Sequence, residues 1–194
     1  MQKLRKIILF VAIANLLYFG VEFYFAFRAG SVSLFADSID FLEDASVNFL
    51  ILLALTWSPA SRARLGKFLA LILFLPTLST FWAAIQKLTV HTVPEPHTLS
   101  LVGFGALIVN SSCAWLLVSQ RNVAGSLTKA AFLSARNDMF ANIAIILVGF
   151  ITLYSQSFWP DLIVGLGIAW MNLDAAKQVW MASKNESKTL STQP

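Results

Sequence analysis

Two aspartates four residues apart interrupt a long apolar stretch of this chain. Asp40 and Asp44 belong to the segment Asp40-Phe41-Leu42-Glu43-Asp44, which lies between apolar runs beginning at Leu34 and Phe49. On a helix, residues at this spacing share one face, one turn apart. Their carboxylate oxygens could then bind one divalent cation. Ionised groups are costly within a bilayer, so those that occur there are usually functional.

A second set of polar residues lies further along the chain, where Ser134, Asp138 and Asn142 follow one another at four-residue spacing. On a helix they share a face, and Arg136 points roughly opposite Asp138. If this face opposes the aspartate pair, three carboxylates and a hydroxyl converge. Such an oxygen-rich set suits a divalent cation and favours harder ions than thiolate ligands would.

Each acid also has a structural interpretation, in which it pairs with a base instead of binding a cation. Arg136 is the available base, and Glu43 or Asp37 could be its partner. Asp37 could equally cap or hydrogen-bond a neighbouring helix. We interpret Glu22 and Asp174 as interior or near-interface polar groups.

Other reactive side chains carry weaker signals. His91 and His97 lie in or beside a connecting loop, where solvated residues are a simpler interpretation than metal ligands. The single Cys113 excludes a disulfide or a cysteine cluster within one chain. Ser134 with Asp138 is the one candidate pair for an intramembrane enzyme, and no histidine accompanies it. The sequence therefore does not predict an enzyme.

The composition is that of an integral membrane protein. The 194 residues are 57% hydrophobic and 12% charged, with a mean hydropathy of +0.71, whereas soluble domains are about 25% charged. The net charge of +4 is typical of basic cytoplasmic loops and does not indicate nucleic-acid binding. We predict an all-α bundle that crosses the membrane about six times.

The predicted spans cover roughly residues 7–27, 32–57, 66–88, 99–119, 131–154 and 160–181. They form one domain over residues 1–183, followed by a short polar cytoplasmic tail, 184–194, that we expect to be disordered. Residues 58–64 and 120–125 are predicted connections. Pro94 and Pro96 separate the third and fourth spans, because proline cannot continue a helix. In the last span, small residues should allow close helix approach: Gly165, Gly167 and Ala169.

The distribution of basic residues predicts the orientation, because cytoplasmic loops are enriched in lysine and arginine. With the N-terminus inside, the outer side receives only Arg28 and Lys87. The inner side collects the remaining assigned basic residues: Lys3, Arg5, Lys6, Arg62, Arg64, Lys67, Arg121, Lys129, Lys177, Lys184 and Lys188. Both termini are therefore predicted to be cytoplasmic, with the protein in the cell's inner (plasma) membrane.

One segment resembles a known transporter family. Ala29-Gly30-Ser31-Val32-Ser33-Leu34-Phe35-Ala36-Asp37-Ser38-Ile39-Asp40-Phe41-Leu42-Glu43-Asp44 is similar to the first-to-second-span region of cation diffusion facilitator transporters. Their second span carries a histidine or aspartate and then, four residues later, an aspartate, just after an Ala-Asp pair. Residues 81–88 with 94–96, 109–117 and 161–166 resemble the family's third, fourth and sixth spans in the same order.

This resemblance implies a six-helix homodimeric exporter that exchanges a divalent metal cation for protons by alternating access. It implies that Asp40, Asp44 and Asp138 are metal ligands, with Asp138 at the acidic position of the fifth-span His-x-x-x-Asp motif. Ser134 stands where the histidine is expected, so that the hydroxyl or water would complete the shell. The family commonly carries a cytoplasmic metal-sensing domain after the sixth span, and only a short tail follows it here.

We therefore expect zinc, manganese, iron or cobalt as the transported ion, with no cofactor. The expected partners are this cation, protons, the lipid bilayer and a second copy of the chain, and not nucleic acid. The alternative is a non-transporting partner or assembly subunit. Such a protein would retain the fold with a degenerate metal site, in which Arg136 neutralises the acidic face.

Overall fold

Long α-helices make up most of the described part of the protein. The computed structural model describes residues 2–54, 78–118 and 121–191, with only the backbone for 121–136 and most of 175–191. The helices are α1 (Gln2–Ala29), α2 (Val32–Ala54), α3 (described over residues 78–90), α4 (Pro96–Val118), α5 (Arg121–Ser155) and α6 (Trp159–Ser191). The described residues contain no strand, and the predicted all-α class is confirmed.

The bundle exposes large apolar side chains and buries polar ones among its apolar core, as is suitable for a bilayer. Within the part of the chain that the structure describes, three helical segments are long and apolar enough to cross a membrane: Arg5–Ala29, Pro96–Leu117 and Asn137–Ser155. Large apolar side chains face outward, with Leu101 and Trp115 each 74% exposed, whereas Asn15 and Glu22 are completely buried. Polar side chains that face the interior of a bundle are typical of membrane helices. This confirms a helical membrane bundle.

The central helix is α2, which contacts α1 along its length and also packs on α5 and α6. Helices α4 and α5 form the other closely packed pair. Leu34, Leu99, Ile145 and Ile168 meet in one buried cluster. Polar side chains on α2 are therefore held between helices, where each must find a partner or bind something.

The connection between α1 and α2 is a tight turn. Gly30 has a φ of 62°, the left-handed conformation that glycine adopts most readily. The Ser31 N–H donates to the Ala26 carbonyl at 3.0 Å. The Ser31 Oγ accepts the Leu34 N–H at 3.1 Å and so caps α2. The turn fixes where α2, and hence its acidic face, begins.

Asp161, in the first turn of α6, ties three helices together at the end that we call outer, according to the predicted orientation. Its Oδ1 accepts Ser31 Oγ and Ser33 Oγ, each at 2.6 Å. Its Oδ2 accepts the Val32 N–H at 2.9 Å and lies 2.7 Å from Lys87 Nζ on α3. Lys87 also donates to a carbonyl of the α1–α2 turn. We call this group of residues the outer clamp.

Two predicted boundaries are wrong. Residues 121–125, predicted to be a connection, are helical because α5 already begins at Arg121. Residues 184–191, predicted to be disordered, continue α6 to Ser191. No proline or glycine lies between Gly167 and Pro194 to end that helix. The predicted connection at 58–64 lies outside the described residues.

The break between the third and fourth spans is confirmed. Residues 91–95 are non-helical, and α4 begins at Pro96. Proline is favoured at the first position of a helix, where its missing N–H costs no hydrogen bond. The Glu95 carboxylate accepts the His97 N–H at 3.0 Å and also the Thr98 N–H, so it caps the same helix end.

Of the small residues predicted to allow close approach in α6, two do so. A Cβ atom on Gly165 would lie 2.7 Å from the backbone of Val32 and Ser33, and Ala169 is fully buried in the main cluster. Gly167 shows no such contact, because a Cβ there meets no atom of the described residues within 4 Å. The close contact between α6 and α2 therefore centres on Gly165.

Candidate metal centre

The acidic face of α2 passes from a fully buried position to partly accessible ones. Asp37 is completely buried, whereas Asp40, Glu43 and Asp44 are half-buried. The helix is unbroken from Val32 to Ala54, so the spacing read from the sequence is kept in the fold. Partial exposure of Asp40 and Asp44 is what a site needs if an ion is to reach it.

Asp138 on α5 supplies the third carboxylate and is 8% exposed. Its charge interacts with those of Asp44, Asp37 and Glu43, and the charge of Asp40 interacts with that of Asp138. These interactions cross the contact between α2 and α5. The structure thus brings the carboxylates predicted from both helices into one region of the bundle.

These acids do not yet form a closed ligand shell. Within the described residues, no three side chains of Asp, Glu, His or Cys form a group that could hold a metal ion. The fourth predicted ligand, Ser134, lies on α5, but its side chain falls outside the described part of the structure, as does that of Arg136. The ligand set and its pairing with Arg136 therefore both stay predictions.

Asn142 on α5 carries a polar chain that the sequence indicated only in part. Asn110 Nδ2 on α4 donates to Asn142 Oδ1 at 3.1 Å, and Asn142 Nδ2 donates to Asp37 Oδ2 at 2.7 Å. This confirms the prediction that Asp37 hydrogen-bonds a neighbouring helix. It also shows that three helices are joined next to the candidate centre.

Glu22 on α1 is a second neighbour of Asp37, in addition to Asn142. Its side chain is completely buried, and the two carboxyl groups are within hydrogen-bonding reach of each other. The interior position of Glu22 was predicted, but its contact with Asp37 was missed. Spacing within α1 cannot show which residue of α2 it faces, because that depends on how the two helices are rotated against each other.

The outer clamp was also missed, although opposite charges at the ends of two predicted spans were a signal for it.

The remaining reactive residues are placed as expected. His91 and His97 are exposed, and the His91 ring packs edge-on against Phe158 at a centroid distance of 5.0 Å. Cys113 is a buried packing residue, 2% exposed.

One comparison with known proteins identifies the family of this chain. The sequence profile of a cation efflux transmembrane domain matches residues 8–183. A comparison with curated proteins finds no match. The profile spans all six helices and includes every acid of the candidate centre, in a bundle whose surface is apolar. The chain therefore belongs to the cation efflux family of membrane transporters.

Proposed function

We propose that the protein exports a divalent metal cation from the cytoplasm and that Asp40, Asp44 and Asp138 bind the ion during transit. The observation that carries the proposal is the juxtaposition of the half-buried acids of α2 with Asp138 of α5. Like charges held together inside a membrane bundle are costly unless a cation or proton is bound. A bound divalent cation would offset that cost.

The donor set indicates the class of ion. Three carboxylates with a serine hydroxyl or water form an all-oxygen shell, and imidazole would be absent from it. Oxygen ligands suit manganese and similarly hard ions, whereas imidazole and thiolate favour zinc and copper. Among zinc, manganese, iron and cobalt, we therefore favour manganese or ferrous iron.

Protons are the proposed counter-ion. Carboxylates must be deprotonated to bind a metal, so ions and protons compete for the same groups. In alternating access, the site would open outward and exchange its cation for protons. The protonated site would then open again toward the cytoplasm. We further propose that the transporter is a homodimer, as the family resemblance implies.

Uptake of metal by everted membrane vesicles tests the proposal. Vesicles with the wild-type protein should accumulate manganese or iron, while Asp40→Asn, Asp44→Asn and Asp138→Asn should each reduce uptake to the level of vesicles without the protein. His97→Gln is the control, because His97 is an exposed residue at the outer end. Uptake that is unchanged in all three aspartate variants would contradict the proposed site.

A second function is a non-transporting subunit that keeps the fold. The lack of a ready group of three metal ligands among the described residues favours it, as does Ser134 at the position where the family has histidine. Isothermal titration separates the two functions. The transporter should bind a divalent cation in a way that Asp40→Asn and Asp44→Asn abolish, and the subunit should show no such binding.

A further inference from the structure

Glu22 and Asp37 form a carboxyl pair that the cation site does not explain. Both side chains are completely buried, and they lie within hydrogen-bonding reach of each other. Both oxygens of Glu22 and Oδ1 of Asp37 have no hydrogen-bond donor among the described residues. Two ionised carboxylates can only accept hydrogen bonds, so the pair cannot be satisfied without a further hydrogen or cation.

Asn142 fixes which oxygen of Asp37 is the acceptor. Because Asn142 Oδ1 accepts from Asn110 at 3.1 Å, its Nδ2 group is the end that faces Asp37 Oδ2, at 2.7 Å. A hydrogen on Oδ2 would point at another donor. A proton on Asp37 is therefore directed to Oδ1, which is the oxygen left for Glu22.

The groups around the pair do not supply a positive charge in the described structure. Tyr18 on α1 donates its hydroxyl to the Val102 carbonyl at 2.6 Å, so its hydrogen is already used. α4 contributes Asn110, and α6 contributes Asn172, which donates to the Ala36 carbonyl at 3.1 Å. The other titratable groups that face the pair are acids: Asp40, Asp44 and Asp138.

The described backbone of α5 separates position 136 from Asn142, which contacts the pair. Position 136 lies six residues before Asn142 on α5, which is about 9 Å along a helix axis. Two buried carboxylates with no base among the described side chains around them are too costly to remain both ionised. One shared hydrogen removes one charge and satisfies an oxygen on each side chain.

We propose that Glu22 and Asp37 form a proton-binding site, separate from the cation site, in which one proton bridges Asp37 Oδ1 and the Glu22 carboxyl. The pair lies toward the outer end from Asp40, because Asp37 precedes it by three residues on α2, or about 4.5 Å along the helix axis. The site itself does not depend on the proposed function. Its role in exchange does, since release of this proton would add a negative charge beside a cation bound at Asp40.

Infrared spectroscopy of the purified, metal-free protein tests the site. The wild type should show the carbonyl stretch of a protonated carboxylic acid in a hydrogen bond, with a shift on exchange into heavy water. Glu22→Gln and Asp37→Asn should each remove the same component of this band, because either amide can donate directly to the remaining carboxylate. Asp40→Asn should keep it, and thermal unfolding of each variant establishes that it folds.

A wild type without the band, or a band that is unchanged in both Glu22→Gln and Asp37→Asn, would overturn the proposal. So would a band that disappears only in Asp40→Asn, because the proton would then belong to the cation site. If one of the two pair variants does not fold, the proton site is tested by the other variant together with heavy-water exchange of the wild-type band.

Titration with manganese then tests the role in exchange. If the pair releases its proton when the cation binds, Glu22→Gln should release about one proton fewer per cation than the wild type. An infrared band that depends on both residues, in a protein that transports no metal, would leave the site standing and reject the transport proposal. Metal transport by a protein with no such band would reject the proton site and leave the transport proposal standing.

Discussion

Lys87 Nζ lies 2.7 Å from Asp161 Oδ2, and their side chains are 3% and 0% exposed. The pair joins α3 to α6 and, through the hydrogen bonds of Asp161, to the start of α2. A buried ion pair is held in place as much by the cost of breaking it as by its own attraction, because removing one partner leaves the other charge uncompensated. The outer clamp therefore fixes how these helices meet.

Replacing Asp161 alone should lower the free energy of unfolding more than replacing both Asp161 and Lys87. We expect Asp161→Asn to destabilise the protein by about 3 kcal/mol or more, because the Lys87 ammonium stays buried. Lys87→Met should cost less, since Asp161 keeps its bonds from Ser31, Val32 and Ser33. The double variant should be more stable than Asp161→Asn alone. Unfolding in detergent, followed by tryptophan fluorescence, measures all three, and strictly additive losses would contradict the pairing.

Gly165 and Gly167 form a matched pair of tests on one helix. Gly165→Ala should destabilise the protein by about 1–3 kcal/mol, because its Cβ would meet the backbone of α2. Gly167→Ala should be neutral or slightly stabilising, because no described residue lies near its Cβ and alanine favours a helix. Equal unfolding midpoints for the two variants would show that α6 does not cross α2 at Gly165.

The outer loop should respond to acid through Glu95. Partial burial acts to raise its pKa, but hydrogen bonds from Thr98 and His97 and the charge of His97 together lower the pKa of this carboxyl below its usual value. Its stabilising contribution is therefore complete above the unfolded-state pKa of about 4.3 and is lost as the pH falls through the lower folded value.

Hydrogen exchange of the Thr98 amide, normalised for its intrinsic pH dependence, measures this cap. Protection should decrease on acidification in the wild type. In Glu95→Gln it should be lower at neutral pH and independent of pH in this range. A variant that retains the wild-type pH response would show that another group titrates there.

Features set by local spacing along the chain could be predicted from the sequence, whereas features that depend on how the helices pack could not. Helix spacing alone put Asp40 and Asp44 on one face and Asp138 with Asn142 on another, and Pro94 and Pro96 marked a break that the structure contains. The contact of Glu22 with Asp37 could not be read in this way, because it depends on the rotation of α1 against α2.

The same distinction explains the errors at helix ends. Polar composition suggested a disordered segment after residue 183, but helix continuation depends on backbone hydrogen bonds and on the absence of proline and glycine. Gly167 makes no close contact for a related reason. It is two residues from Gly165, so it faces another side of α6, where no described residue lies near its Cβ.

The identity of the residue at position 134 should control ion selectivity. In the proposed ligand set, replacing Ser134 with histidine would add an imidazole to the three carboxylates, and imidazole favours zinc over manganese. We expect Ser134→His to raise zinc affinity by about tenfold or more relative to manganese, since even the loss of a hydrogen-bond partner of a metal ligand typically changes metal affinity by roughly 10–100-fold. Competitive binding of the two ions to the purified protein measures the ratio. Ser112→His is the matched control, because Ser112 is exposed on α4, and an equal change in both variants would place position 134 outside the site.

The central claim is that a cation bound at Asp40, Asp44 and Asp138 is exchanged for protons across the membrane. Proteoliposomes that contain the purified protein and a trapped pH indicator test it directly, when manganese uptake and internal pH are recorded together. We predict that metal entry is accompanied by proton exit, and that Asp40→Asn and Asp138→Asn abolish both while His97→Gln keeps both. Metal entry without any proton movement, or fluxes that persist in both aspartate variants, would contradict the account.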